Sequence, residues 1–134
     1  MDTDKRMRTP FLVVLVSGIL ILVFSVYDLM NINSFNTPGF FMPYAPPLVT
    51  IVISLISGVI VLFGAVLILK GVKVKIISLL VLLFSIIHFL NNTGSMIFPI
   101  GSVIGFIGGI LGLYYSMKSG KAIAPNVQVN ESAK

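Results

Sequence analysis

The sequence predicts an all-α membrane protein: four transmembrane helices in an antiparallel bundle, arranged as two duplicated helical hairpins. Three observations lead there. The 134-residue chain is 57% hydrophobic and only 10% charged, with a mean hydropathy of +1.09, whereas a soluble domain carries about 25% charged residues. Its apolar residues fall into four long runs, and about 20 such residues cross the hydrocarbon of a bilayer. Its nine lysines and arginines sit in three places: Lys5, Arg6 and Arg8; Lys70, Lys73 and Lys75; and Lys118, Lys121 and Lys134. The intervening loops, 31–47 and 91–96, have none. This is the positive-inside pattern, and it predicts both termini on the cytoplasmic side of the membrane, taken as the plasma membrane.

Residues 1–9 form a short basic tail. The first span is 10–30, with Pro10 suited to a first helical turn, where a missing N–H is harmless. It reads as a retained span and not a cleaved leader: the apolar part is too long, and no small-x-small site follows Ser25-Val26-Tyr27-Asp28. Loop 31–47 holds Pro38, Pro43, Pro46 and Pro47, which forbid a regular helix. It also holds Phe35, Phe40, Phe41 and Tyr44 and no charge. Such a segment belongs at the membrane interface, where aromatic rings settle. The second span is 48–69, closed by Lys70-Gly71. The third is 72–90, with Lys73 and Lys75 snorkelling at its start. A tight turn at 91–96 leads into the fourth span, 97–117, with Pro99 near its first turn. Residues 118–134 form a polar cytoplasmic tail, expected to be largely disordered.

The fourth span is the predicted packing centre. Gly101, Gly105, Gly108 and Gly112 step by 4, 3 and 4, so they fall within an arc of about 60° at 3.6 residues per turn. Gly109 lies beside them. In a soluble helix each internal glycine costs about 1 kcal/mol. In a membrane helix it lets a neighbouring backbone approach. Ser54, Gly58, Val61 and Ala65 repeat the spacing in the second span, at an offset of 47. Residues 23–31 lie over 83–91 at an offset of 60, with Phe-Ser and a terminal Asn identical. Two hairpins in one orientation imply a pseudo-twofold axis along the membrane normal.

That repeat sets Asp28 over His88. Each is the lone ionisable acid or base in a long apolar stretch, 9–69 and 76–117. Ionisable residues in spans are functional candidates. Both fall in the last turn of an outward-running helix, so the expectation is an outer polar pair on one level, facing across the axis and reached by water. Ser17-Gly18 and Ser57-Gly58 share the pattern L-[VI]-S-G-[IV]. They are expected to serve helix packing, with a polar track for a solute as the rarer use. Together with Gly109 they are expected to leave small-residue surface for partners. Asn91-Asn92-Thr93 is an N-glycosylation pattern on the outer side, and Asn130-Glu131-Ser132 fits the pattern on the inner side.

With no cysteine in the chain, disulfides, thiolate metal sites and cysteine nucleophiles are excluded. One histidine and one nearby aspartate are too sparse for zinc. No P-loop, G-x-S-x-G or His-Glu-x-x-His is present, so no catalytic residue, metal or cofactor is expected. Net charge of +5 reads as topology and anionic-lipid contact and not nucleic acid. In length, four spans, glycine-rich last helix and lysine-bearing turn, residues 10–117 resemble small uncharacterised four-span membrane proteins of prokaryotes, archaea included; the resemblance is one of layout and implies no site residues. The first functional expectation is a structural or accessory membrane protein, packing with itself as a homo-oligomer or with a larger membrane complex through the glycine seam. The second is a small oligomeric transporter or channel with Asp28 and His88 at its outer mouth. A third is a lipid- or pH-responsive regulator sensing through the outer loop.

Overall fold

The computed structural model describes residues 2–32, 46–91 and 100–121, with side-chain surroundings for 7–32, 46–91 and 100–118. All regular structure among them is helical: α1 (Asp2–Met30), α2 (Pro47–Leu69), α3 (Val74–Asn91) and α4 (Ile100–Lys121). The segments long and apolar enough to cross a membrane are Met7–Met30, Pro47–Leu69, Val74–Asn91 and Ile100–Lys118. They match the four expected spans to within a turn at each end. The aromatic loop with Phe35, Phe40, Phe41 and Tyr44, the turn residues 92–96, Pro99 and the tail beyond 121 lie outside the described residues.

Two expectations at helix starts are corrected. The polar tail at 1–9 is helical from Asp2, so Pro10 lies inside α1 and not at its first turn. The third helix starts at Val74, which leaves Lys73 in the turn. Arg8 and Asp28 bracket the apolar part of α1, about 30 Å apart at 1.5 Å per residue, the thickness of a bilayer's hydrocarbon. At the other loop, Pro46 is the N-cap of α2 and Pro47 its first residue.

The connection from α2 to α3 is built by Gly71. Its φ of +68° lets the N–H of Val72 reach back to the Leu67 carbonyl at 3.1 Å and its own N–H to the Ile68 carbonyl at 3.0 Å. This Schellman closure satisfies carbonyls that the helix end leaves open. Lys73 also has positive φ, +39°, and its carbonyl accepts the first α3 bonds, from Ile76 and Ile77.

Packing runs round a ring: α1 meets α2 and α4, and α3 meets α2 and α4. Val14, Ile21, Val61, Ala65, Ile68 and Val81 form the apolar core. The serines, however, are inside. Ser17, Ser25, Ser54, Ser57, Ser78, Ser85 and Ser102 are all buried, while Phe63, Leu79 and Val59 stand outward, 58–66% exposed. In water this would invert the usual order. In lipid it is the expected one: apolar side chains gain nothing by leaving hydrocarbon, and small polar residues let helices close and bond.

Candidate functional site at the centre of the bundle

Gly101, Gly105, Gly108, Gly109 and Gly112 of α4 are all in contact with helices of the same chain. A methyl group at Gly101 would stand 3.1 Å from the Ile21 backbone nitrogen on α1, and one at Gly108 would stand 3.2 Å from that of Val14. At Gly109 it would lie 3.1 Å from the Ser78 carbonyl oxygen on α3; at Gly112 it would meet the Ser78 hydroxyl. Gly105 sits between, and a methyl there would run into the hydroxyls of both Ser17 and Ser85. The stripe is therefore the wedge that holds α1 and α3 against α4. The matching stripe of α2, Ser54, Gly58, Val61 and Ala65, is likewise buried. Gly109, Ser17-Gly18 and Ser57-Gly58 are buried too, which corrects the expectation that they leave surface for partners.

Two side-chain hydroxyls, those of Ser17 and Ser102, tie helices together. Ser17 donates to the Gly101 carbonyl at 2.7 Å, joining α1 to α4. His88 Nδ1 and Ser102 Oγ lie 2.5 Å apart, joining α3 to α4. Ser25 and Ser57 bond back along their own helices, to Ile21 at 2.7 Å and Ile53 at 2.8 Å, a usual resort for serine in a membrane helix. The hydroxyls of Ser54, Ser78 and Ser85 are buried without a partner among the described residues. For Ser54 the carbonyl one turn back, that of Thr50, already accepts from Asn91 Nδ2 at 3.2 Å.

His88 is not an interfacial group: it is 2% exposed. Its partner Ser102 follows Gly101, which packs on Ile21, so His88 is level with Ile21. Asp28 lies seven residues further along α1, about 10 Å at helical rise, and is half-buried. The two do not share a level. The same register sets Ser85 beside Ser17 on Gly105, not beside Ser25, its counterpart in the sequence repeat. Ser17 and Ser25 are separated by about 12 Å along α1, so the offset of 60 does not describe a pure rotation in the bundle.

Ser78, Ser102, Thr50 and Gly64 escaped the sequence reading. Gly64 receives Val81, whose Cγ2 would lie 2.7 Å from a methyl there. A signal existed: Ser78, Val81, Ser85 and His88 step by 3, 4 and 3, the same face-forming rhythm as the glycines. Read as a stripe of small and polar residues, it marks the inward face of α3. Between α3 and α4 a groove of about 260 Å³, flanked by Phe89, Val103 and Phe106 with Ser85 and Ser102 behind, opens sideways. Among the described residues no three His, Asp or Glu side chains gather as metal ligands would. No protein family, no curated protein and no solved structure matches the chain.

Proposed function

We propose that the chain is a multi-pass integral membrane protein of the plasma membrane, with antiparallel spans and cytoplasmic termini, serving as a structural or accessory subunit without catalysis of its own. The observation that carries the reading is the internal occupation of the glycine stripe: α1 and α3 fill the notches at Gly101, Gly105, Gly108, Gly109 and Gly112. Such a chain is a finished building block. Its contacts with further copies or with a larger membrane complex then fall to its outer apolar faces. Support for antiparallel spans comes from the register: Gly18 meets Leu62 while Gly58 meets Leu22, and Gly108 meets Val14 while Gly101 meets Ile21. Support for the topology is the charge census of the loops. A duplication of hairpins stays a reading of the sequence offsets, and the setting of Ser85 beside Ser17 on Gly105 does not follow the offset of 60.

The test is gentle detergent extraction from native membranes followed by native mass measurement. A stoichiometric companion or a defined homo-oligomer supports the subunit reading. A bare monomer that also remains functional in isolation, with flux in vesicles, sinks it in favour of transport. That second reading, a small oligomeric transporter, draws on the buried hydroxyls and on His88. Any path would run past Ser17, Ser85 and His88, without a shared outer mouth at Asp28. Flux indistinguishable from empty vesicles removes it.

A further inference from the structure

Among the residues with described side-chain surroundings, a cation stands at the same end of each helix: Arg8 on α1, Lys70 capping α2, Lys75 on α3 and Lys118 on α4, all exposed. The contacts of Gly112 with Ser78 and Ile68, and of Gly108 with Val14, fix that shared end. The described residues of the opposite end carry Asp28 and no lysine or arginine. Four residues from each cation, toward the middle of the membrane, is an outward-facing apolar side chain: Leu12, Val66, Leu79 and Tyr114, 41–60% exposed. Residues four apart share a helix face. Each of these four cations therefore sits directly above a hydrocarbon-facing side chain, round the perimeter.

We propose that this end binds anionic phospholipid, each cation taking a lipid phosphate whose acyl chains lie along the apolar residue beneath it. The inference rests on the membrane-spanning reading above. The sideways placement favours lipid over an acidic soluble protein, which would dock end-on and need cations facing along the bundle axis. Lys73 supplies the internal contrast. It is an exposed cation in the turn before α3, at a φ of +39°, so the regular helical spacing that stacks the other four over a side chain of their own helix does not hold for it. Head-group attraction for basic residues at a membrane surface is a general force; the stacking makes it selective by position.

The experiment uses the full chain in phosphatidylcholine vesicles with a trace of spin-labelled phosphatidylglycerol or phosphatidylcholine, and reads the protein-associated fraction of each. The expected result is a preference of about fivefold for phosphatidylglycerol at low salt, falling towards parity in 1 M salt, where screening acts within about 3 Å. Lys75→Gln with Lys118→Gln should at least halve that preference, and Lys73→Gln should leave most of it. Equal association of the two lipids at low salt overturns the proposal. So does a Lys73→Gln loss as large as that of Lys75→Gln alone. So does tight binding of soluble polyglutamate to the detergent-solubilised chain without any lipid preference. Alkaline carbonate separates the levels: a chain that stays in the vesicles yet shows no preference loses the lipid site alone, and one that washes out loses the membrane reading with it.

Discussion

Leu62 fills the notch at Gly18, its Cγ standing 2.7 Å from where a methyl on that glycine would be, and Leu22 fills the notch at Gly58 in return, its Cδ2 at 2.8 Å. The exchange is reciprocal because α1 and α2 carry one pattern. Leu15-Val16-Ser17-Gly18-Ile19-Leu20-Ile21-Leu22 lies over Leu55-Ile56-Ser57-Gly58-Val59-Ile60-Val61-Leu62 at an offset of 40. A knob four residues after a hole, on two helices crossing head to tail, is self-complementary in the manner of a twofold interface.

Filling either hole should therefore destabilise the bundle, and moving the hole should restore part of the loss. Gly18→Leu forces a side chain into Leu62, at about 1–3 kcal/mol for overpacking. Leu62→Gly empties the other side. Combined, the leucine on α1 occupies the space left on α2, and the double variant should be more stable than the sum of the single losses by about 0.5–3 kcal/mol, the range for residues in contact. Reversible unfolding in mixed micelles measures this. Strict additivity would mean that the two residues do not meet.

Glycines of one stripe should differ by what faces them. At Gly101 the obstacle is the α1 backbone and at Gly109 the α3 backbone, neither of which can turn aside. At Gly105 the obstacles are two hydroxyls, of which that of Ser85 turns about χ1 and that of Ser17 can turn only by giving up its bond to the Gly101 carbonyl. Alanine at 101 or 109 should cost more than alanine at 105, by about 1 kcal/mol within the overpacking range. Replacing Ser85 by alanine should relieve Gly105→Ala and leave Gly101→Ala untouched. Thermal melts of the five variants decide it, and the reverse order would place the close backbone approach elsewhere.

Much of this was legible because lipid imposes a narrow grammar. Four apolar runs, the cations between them and the spacing of Gly101, Gly105, Gly108 and Gly112 are one-dimensional signals, and helices at those positions carry them. Depth is not one-dimensional. That His88 stands level with Ile21, ten or so ångströms from the level of Asp28, depends on how far each helix slides along its neighbour, which the seating of Ile21 on Gly101 and of Ser17 and Ser85 on Gly105 shows. The sequence repeat aligned letters and so paired Asp28 with His88; the holes and knobs align heights. The glycosylation pattern at Asn91 has the same limit, since a motif says nothing about which helix lies opposite.

The pair of His88 and Ser102 should contribute modestly and specifically. Side-chain hydrogen bonds between membrane helices average about 0.6 kcal/mol and reach about 1.7 kcal/mol. Ser102→Ala and His88→Ala should each lower stability, and the double-variant cycle should return a coupling in that range. Burial adds a second readout. Diethyl pyrocarbonate should leave His88 unmodified in native vesicles and modify it once the bundle is unfolded. Rapid modification of the native protein would put the ring on a water-lined surface, and the interhelical bond with it.

Asn91 should carry no glycan even where the machinery exists. Its side chain is 6% exposed and its Nδ2, the atom a glycan would need, donates to the Thr50 carbonyl on α2. Expressed in a eukaryotic host, the chain should show no enzymatic deglycosylation shift at this position, and Thr93→Ala, which destroys the pattern, should leave its mass unchanged apart from the substitution. Asn91→Ala, by contrast, should destabilise, since it removes the side-chain hydrogen bond at the α2–α3 contact, at about 0.5–1.5 kcal/mol. Asn91→Leu should lose the same bond while adding apolar bulk, so it should recover none of that stability. A glycan found on Asn91 would require the amide to have left α2, and the end of α3 would then have to be redrawn.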